Sequence, residues 1–332
     1  MLFLTPRSPA AVRYRRGRLL LLAAVLFCGI YYLFLLRLNR KQIPEEDGSS
    51  LPPSPVPPWK NRNDMVVASM RSENTSWLFE YFPDWHKSVY VVDDEKAELA
   101  VEKNKGRESM VYLTYLIDNY DNLPEFMLFI HSQRYQWHND DPYYDGVPML
   151  KNFQRPYLDQ QGYVNLRCVW ILGCPDEIHP FTENHRNDVH AEEYFLKAFK
   201  ELFPGKEVPY AVGVSCCAQF GLARWKVKER PKSEYERIRK WLLDTALPDE
   251  LSGRIMEYSW HMFFGNGPIH CPPAADCYCN VFGRCNLTCE TDAGCDNRYV
   301  LPRYSTLPEE WPYVGWDGLP QDPSQGGLPI IA

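Results

Sequence analysis

Between Met65 and His131 the chain alternates strand-like and helix-like patterns, and this limits the folds open to it more than any other feature. The stretch reads MVVASM, then SVYVVDD, then KNKGRESMVYLTYLIDNYDNLPEFMLFIHS. The first two are short apolar runs, the second closing on Asp93-Asp94. Asn104-Lys105-Gly106 is a turn, and Met110, Leu113, Ile117 and Tyr120 recur at helical spacing. Pro124 breaks that pattern, and Phe126 to Ile130 is the continuous apolar run of a strand buried on both faces. Strands separated by a helical pattern predict βαβ units and an α/β fold with a parallel sheet. Ligands of such sheets sit beyond the carboxyl ends of the strands. Ser69 to Arg71, Asp93-Asp94 and His131 to Gln133 all fall at such ends.

The remaining chain carries further elements. Ser76 to Tyr81 fits a short helix, Asn165 to Leu172 a strand, and Tyr194, Ala198 and Leu202 one face of a helix that Pro204-Gly205 ends. Val208 to Ala218 and Phe220 to Trp225 read as strands around Cys216-Cys217. Ser233-Glu234-Tyr235-Glu236 reads as a capping box opening a helix. A second helix is expected from Gly253 to Phe264, stopped by Gly265. Cys271 to Cys295 reads as a knot of loops, followed by a Pro-rich tail.

The N-terminal region has a different character. Residues 1–41 hold eight basic residues and no acid, which leaves 28 basic against 43 acidic residues, a charge of −15, on the rest of the chain. An acidic body argues against a nucleic-acid partner. Leu19 to Leu36 is an uncharged run of 18 residues, long enough to be a transmembrane candidate, and the positive-inside bias places its N-terminus in the cytosol. The expected order is a basic cytosolic tail (1–18), a signal anchor (19–36), a Pro-rich stem (37–64), a lumenal α/β domain (65–270) and a Cys- and Pro-rich extension (271–332). This is a single-pass type II layout of the Golgi or endoplasmic reticulum. Ten cysteines lie beyond the anchor: Cys168, Cys174, Cys216, Cys217, Cys271, Cys277, Cys279, Cys285, Cys289 and Cys295. In a lumenal domain an even number implies disulfides. Adjacent Cys216 and Cys217 are expected to reach separate partners rather than each other. Asn74 and Asn286 head glycosylation sequons.

Two resemblances follow from quoted residues. NKGRESMVYLTYLIDNYDNLPEFMLFIHSQRYQWHNDDP, with CCAQFGLAR and SGRIMEYSWHMFFG, resembles the mainly fungal family called domain of unknown function 3431, over about residues 65–273. The order of elements also resembles a GT-A glycosyltransferase, with its Rossmann-type mixed sheet flanked by helices. That resemblance implies a nucleotide sugar as donor and a glycan or glycoprotein as acceptor. It implies that Asp93, Asp94, Asn104 and Gly106 hold the nucleotide and Arg107 its diphosphate. Glu257 would deprotonate the acceptor, with His261, four residues on and on the same helical face, orienting it. Where such enzymes carry a metal-binding Asp-x-Asp, this chain has His131-Ser132-Gln133. Either a manganese or magnesium ion is held elsewhere, by Asp140 and Asp141, or the chemistry needs no metal; His131, His138, Asp140 and Asp141 form the candidate sugar or metal cluster. The rival reading is a non-catalytic lumenal binding protein on the same scaffold. A third is a metal-dependent oxidase built on His179, His185 and His190.

Overall fold

The structure, a computed structural model, describes Tyr31 and residues 62–183, 191–303 and 306–325. Apart from Tyr31, the Leu19 to Leu36 segment lies outside the described residues, as does the stem up to Asn61. Among the described residues no helix is long and apolar enough to cross a membrane.

A mixed five-stranded sheet organises the body, flanked by helices on both faces. Its strands are β1 (Asn63–Ser69), β2 (His86–Val91), β3 (Phe126–His131), β4 (Tyr163–Asn165) and β6 (Phe220–Ala223), in the order β2-β1-β3-β6-β4. β1 runs parallel to both β2 and β3, whereas β6 is antiparallel to β3 and β4. The two crossovers that parallel pairing requires are α1 (Ser76–Tyr81) and α2 (Ser109–Asp118). They pack on opposite faces, and the strand side chains alternate to match. Val66, Met127, Phe129, Phe220 and Leu222 join one core with α2, while Met65, Val67, Leu128, Ile130 and Ala223 join the other with Trp77 and Leu78 of α1. Burial on both faces is why β3 reads as an unbroken apolar run.

The first core is completed by α5 (Glu192–Leu202), α7 (Lys232–Asp244), α8 (Asp249–Glu257) and α9 (Trp260–Phe263). The second is covered by α3 (Gly146–Lys151), α4 (Arg155–Gln161) and α10 (Ala274–Phe282). Phe129 anchors the first core: its ring is edge-on to Tyr112 at 5.0 Å and stacked on Phe220 at 4.9 Å.

Several expected boundaries shift. Helix α2 ends at Asp118, so Tyr120 leaves the stripe for a short 3-10 turn and donates to the Arg230 carbonyl. The expected strand Asn165 to Leu172 is only β4. Beyond it the chain leaves the sheet, turns through left-handed Leu172 and Gly173, and carries Cys168 and Cys174 to Cys277 and Cys271. Of Val208 to Ala218 only β5 (Gly213–Val214) is a strand, paired with β7 (Ile269–His270), because Cys217 and Ala218 are left-handed and curl the chain away. Arg224 and Trp225 open α6 (Arg224–Lys228) instead of extending β6. The capping box is not formed: α7 starts at Lys232 after Pro231, and Ser233 lies inside it. The knot of loops contains α10, whose Tyr278 and Phe282 are buried in the second core. The described chain beyond Cys271 thus packs on the body through two disulfides and a helix.

At the amino end of β1, fully buried Asp64 accepts hydrogen bonds from Tyr115 Oη (2.8 Å), Ser88 Oγ (3.1 Å) and Arg62 (3.2 Å), and lies 2.9 Å from His86 Nδ1. A buried carboxylate is tolerated only when so satisfied. Tyr115→Phe deletes one charge-assisted bond and should cost about 1.5–3 kcal/mol in a denaturant melt; an unchanged midpoint would show that Asp64 does not depend on it.

Candidate functional site

β1 pairs with neighbours whose crossovers lie on opposite faces, so a crevice opens beyond its carboxyl end and that of β3. A cleft of about 460 Å3 fills this place, lined by Ser69 and Met70 after β1, Val92 after β2, and His131, Ser132 and Gln133 at the end of β3. It leads into a recess of about 60 Å3 bounded by Arg107, Glu108, His131, Trp137, His138, Cys217, Arg254 and Glu257.

Two left-handed turns shape the recess. At the first, Gly106 and Arg107 have φ of +65° and +56°. A Cβ on Gly106 would lie 2.5 Å from Leu242 Cδ1, so glycine adopts this conformation without strain and a larger residue would displace the Leu242 side chain. The turn brings Arg107 to the cleft, where its guanidinium makes no hydrogen bond or ion pair among the described residues. Gly253 of α8 makes room for its stem, since a Cβ there would sit 3.1 Å from Arg107 Cγ and Cδ. A non-glycine residue in the left-handed region marks backbone held by its surroundings, a feature that clusters at functional sites.

At the second turn, Cys217 and Ala218 have φ of +90° and +47°. Cys216 and Cys217 are disulfide-bonded to each other, contrary to the expectation of separate partners, and the left-handed Cys217 lets adjacent residues close that ring. The other eight cysteines pair as Cys168–Cys277, Cys174–Cys271, Cys279–Cys285 and Cys289–Cys295. The Cys217 peptide groups hold the site: its N–H donates to Glu257 Oε1, and its carbonyl accepts from His131 Nε2 at 2.8 Å. A carbonyl can only accept, so His131 carries its proton on Nε2 and, when neutral, offers Nδ1 as an acceptor. Gln219 accepts from the His131 amide at 3.1 Å and donates to the His138 carbonyl at 3.2 Å, tying β3 to the 131–146 loop. The two sulfurs and a Glu257 oxygen lie within 4.8 Å of one another, but disulfide sulfurs are not thiolate ligands.

The sequence-derived residues divide. Asn104, Gly106, Arg107, His131, His138 and Glu257 meet around the cleft, Gly106 as the turn that shapes it. His138 stacks on His131 at 4.4 Å. Asp93 and Asp94 do not line it: Asp93 accepts from the Arg71 amide at 2.8 Å and Asp94 pairs with the Arg71 guanidinium at 3.0 Å, fixing the loop after β1. Asp140 is spent on the Cys168 and Val169 amides and the Tyr278 hydroxyl, and Asp141, whose Oδ1 accepts from the Tyr143 and Asp145 amides, lines neither the cleft nor the recess. His261 and Glu257 do not share a helix. The expected helix breaks at Tyr258 and Ser259, where Ser259 Oγ donates back to the Ile255 carbonyl at 2.7 Å. His261 is fully buried and donates to the Pro268 carbonyl at 3.0 Å. His179 lies beside Glu192 and Asp176, while His185 and His190 fall outside the described residues. Asn74 and Asn286 are exposed.

Sequence reasoning missed Glu108 and Arg254. Glu108 directly follows Gly106-Arg107 and stands at the N-terminus of α2. Burial pushes its carboxyl above the ordinary range, opposed by His131 and Arg107 and aided by Glu257. Arg254 Nε lies 3.5 Å from Glu257 Oε2. The recess is therefore lined by two carboxyls, two arginines and two imidazoles, and Glu108 among them is the N-cap residue of α2.

A family model described as a protein of unknown function, DUF3431, matches residues 65–280. The chain belongs to this family. Its matched span contains β2, β3, β4 and β6, all but the first two residues of β1, both turns and the Cys168–Cys277 and Cys174–Cys271 bonds. No curated protein matches the chain, and no solved structure matches it.

Burial, with His131 and nearby arginines, holds the His138 imidazole well below its ordinary value near 6.5; burial also lowers His261, to about 3. In a 1H–15N NMR titration His261 should stay neutral at pH 5 and His138 should titrate well below 6.5, and a transition near 6.5 for either would contradict this packing. Because unfolding releases them to bind protons, each removes about 1.4 kcal/mol of stability per pH unit below 6.5 until its folded value is reached.

Proposed function

We propose that this protein is a glycosyltransferase of the secretory-pathway lumen that takes a nucleotide sugar as donor and a glycan or glycoprotein as acceptor. The observation that carries the reading is the cleft at the switch point between β1 and β3, with Arg107 unpaired among the described residues beside the N-terminus of α2 and Arg254 in the adjoining recess. Oriented amides, a helix dipole and arginines suit a diphosphate. The element order, β1 and β2 leading to a Gly-turn helix and a central β3, resembles GT-A transferases. Five disulfides support an oxidising compartment, as the type II anchor reading requires.

A divalent cation on the diphosphate needs several hard oxygen ligands. The recess offers Glu108 and Glu257, the latter already held by the Cys217 amide and beside Arg254. Glu73 and Asp249 of the outer cleft accept from the Met70 and Gly106 amides, and Asp140 and Asp141 line neither part. These donors do not fit the cation, and the arginines take over its charge-balancing role. Leaving-group charge develops on the diphosphate, where Arg107 and Arg254 stabilise it. Glu108, a carboxyl on the wall of the recess whose hold on a proton is strengthened by burial, removes the acceptor proton. Glu257 is a positioning residue, linking Arg254 to the Cys217 turn.

Titration of the full chain with uridine and guanosine diphosphate sugars tests this. A ligand at about 100 times its Kd should stabilise the protein by about 2.7 kcal/mol. Arg107→Ala should weaken binding at least about tenfold, while Glu108→Gln should bind normally and lose about 100-fold or more in turnover. Binding without turnover in the wild type would favour the non-catalytic reading. No binding by a folded sample would reject both.

A further inference from the structure

A second cavity, of about 470 Å3, shares no lining residue with the cleft. Its walls come from the 131–146 loop and from the C-terminal segment, which disulfides and α10 fasten to the body. Two of its groups stand out. Asp141 is 7% exposed; its Oδ1 accepts from the Tyr143 and Asp145 amides, while its Oδ2 has no partner among the described residues. Arg298 is 9% exposed, and its guanidinium makes no hydrogen bond or ion pair among the described residues, with Nε enclosed and unpartnered. The Tyr278 ring lies 5.2 Å from that guanidinium. Asp141 and Arg298 feel each other's charge, yet they are too far apart to pair directly. An acceptor and a donor, each nine-tenths buried, thus face one cavity with neither satisfying the other. Such groups are costly to bury unless something completes them.

The rest of the lining narrows what that is. Arg134 is already matched by Asp145 through two parallel bonds of 2.9 and 2.7 Å, so it offers no free charge. The Asp141 carboxylate on the same wall opposes the charge of Arg298, which disfavours an anion. Tyr135, Tyr143 and Tyr313 with Pro142, Pro148 and Pro312 supply flat apolar surface beside the two polar groups. Adjacent hydroxyls that donate and accept, next to a C–H face that can lie on an aromatic ring, are the features of a sugar. We propose that this cavity binds one neutral pyranose unit of a glycan. Asp141 Oδ2 accepts from one hydroxyl, Arg298 donates to its neighbour, and Tyr313, 65% exposed, covers the ring face. The assignment is independent of the transferase reading.

Saturation-transfer NMR on the full chain tests it, with methyl glycosides of glucose, mannose, galactose and N-acetylglucosamine as probes. Transfer to at least one is expected, reduced tenfold or more in Arg298→Gln and at least threefold in Tyr313→Ala. Tyr313 is a surface position, so its variant decides the matter even where Arg298→Gln fails to fold. Arg107→Ala should leave the signal intact. Silence from folded wild type, persistence in Tyr313→Ala, or loss in Arg107→Ala would each overturn the proposal.

Discussion

The parallel pairing of β1 with both β2 and β3 is the constraint on which the rest depends. Parallel neighbours need crossovers, and two crossovers on opposite faces create two cores and leave a crevice where they part. β3 is buried on both faces and delivers His131 to that crevice. Arg107, Glu108, Cys217, Arg254 and Glu257 are then brought to the end of β3 from elsewhere in the chain.

Two strained turns face one another there. Gly106-Arg107 turns the chain into α2 and presents a cation; Cys217-Ala218 turns it into β6 and presents a peptide N–H and C=O. The second turn is closed by a bond between adjacent cysteines and lies against Arg167, whose guanidinium is 3.4 Å from Cys217 Sγ and donates to the Trp137 and His138 carbonyls. Glu257 and His131 are thus held through the backbone of one residue, Cys217. A site held this way suits chemistry that works by positioning and charge.

Much of the scaffold was legible because it rests on local patterns. The Ser76 to Tyr81 helix, the buried β3 run and the α5 stripe follow from periodicity alone. The glycine turn and His131 follow from their places at a helix start and a strand end, and Arg107 from the GT-A resemblance. What was not legible depends on partners distant in sequence. Asp93, Asp94 and Asp140 read as cleft ligands because nothing in the sequence shows that Arg71, Cys168, Val169 and Tyr278 already bond to them, and Asp141 because nothing there shows that its loop carries it away from the cleft. The separation of His261 from Glu257 turns on one serine bonding back to its own helix. Cys216–Cys217 was misread because a left-handed Cys217 cannot be seen in composition. Glu108 was available beside Gly106-Arg107, and the N-terminus of a helix at a strand-end crevice is the signal that points to it.

The most direct measurement on the central claim is photo-crosslinking with an azido-uridine diphosphate sugar, mapped by peptide mass spectrometry on the full chain. Labelling confined to peptides containing Ser69–Glu73, Asn104–Glu108 and His131–His138, and competed by unmodified donor, is the predicted result. Labelling elsewhere, or labelling that unmodified donor does not displace, would contradict a donor site at the end of β1 and β3.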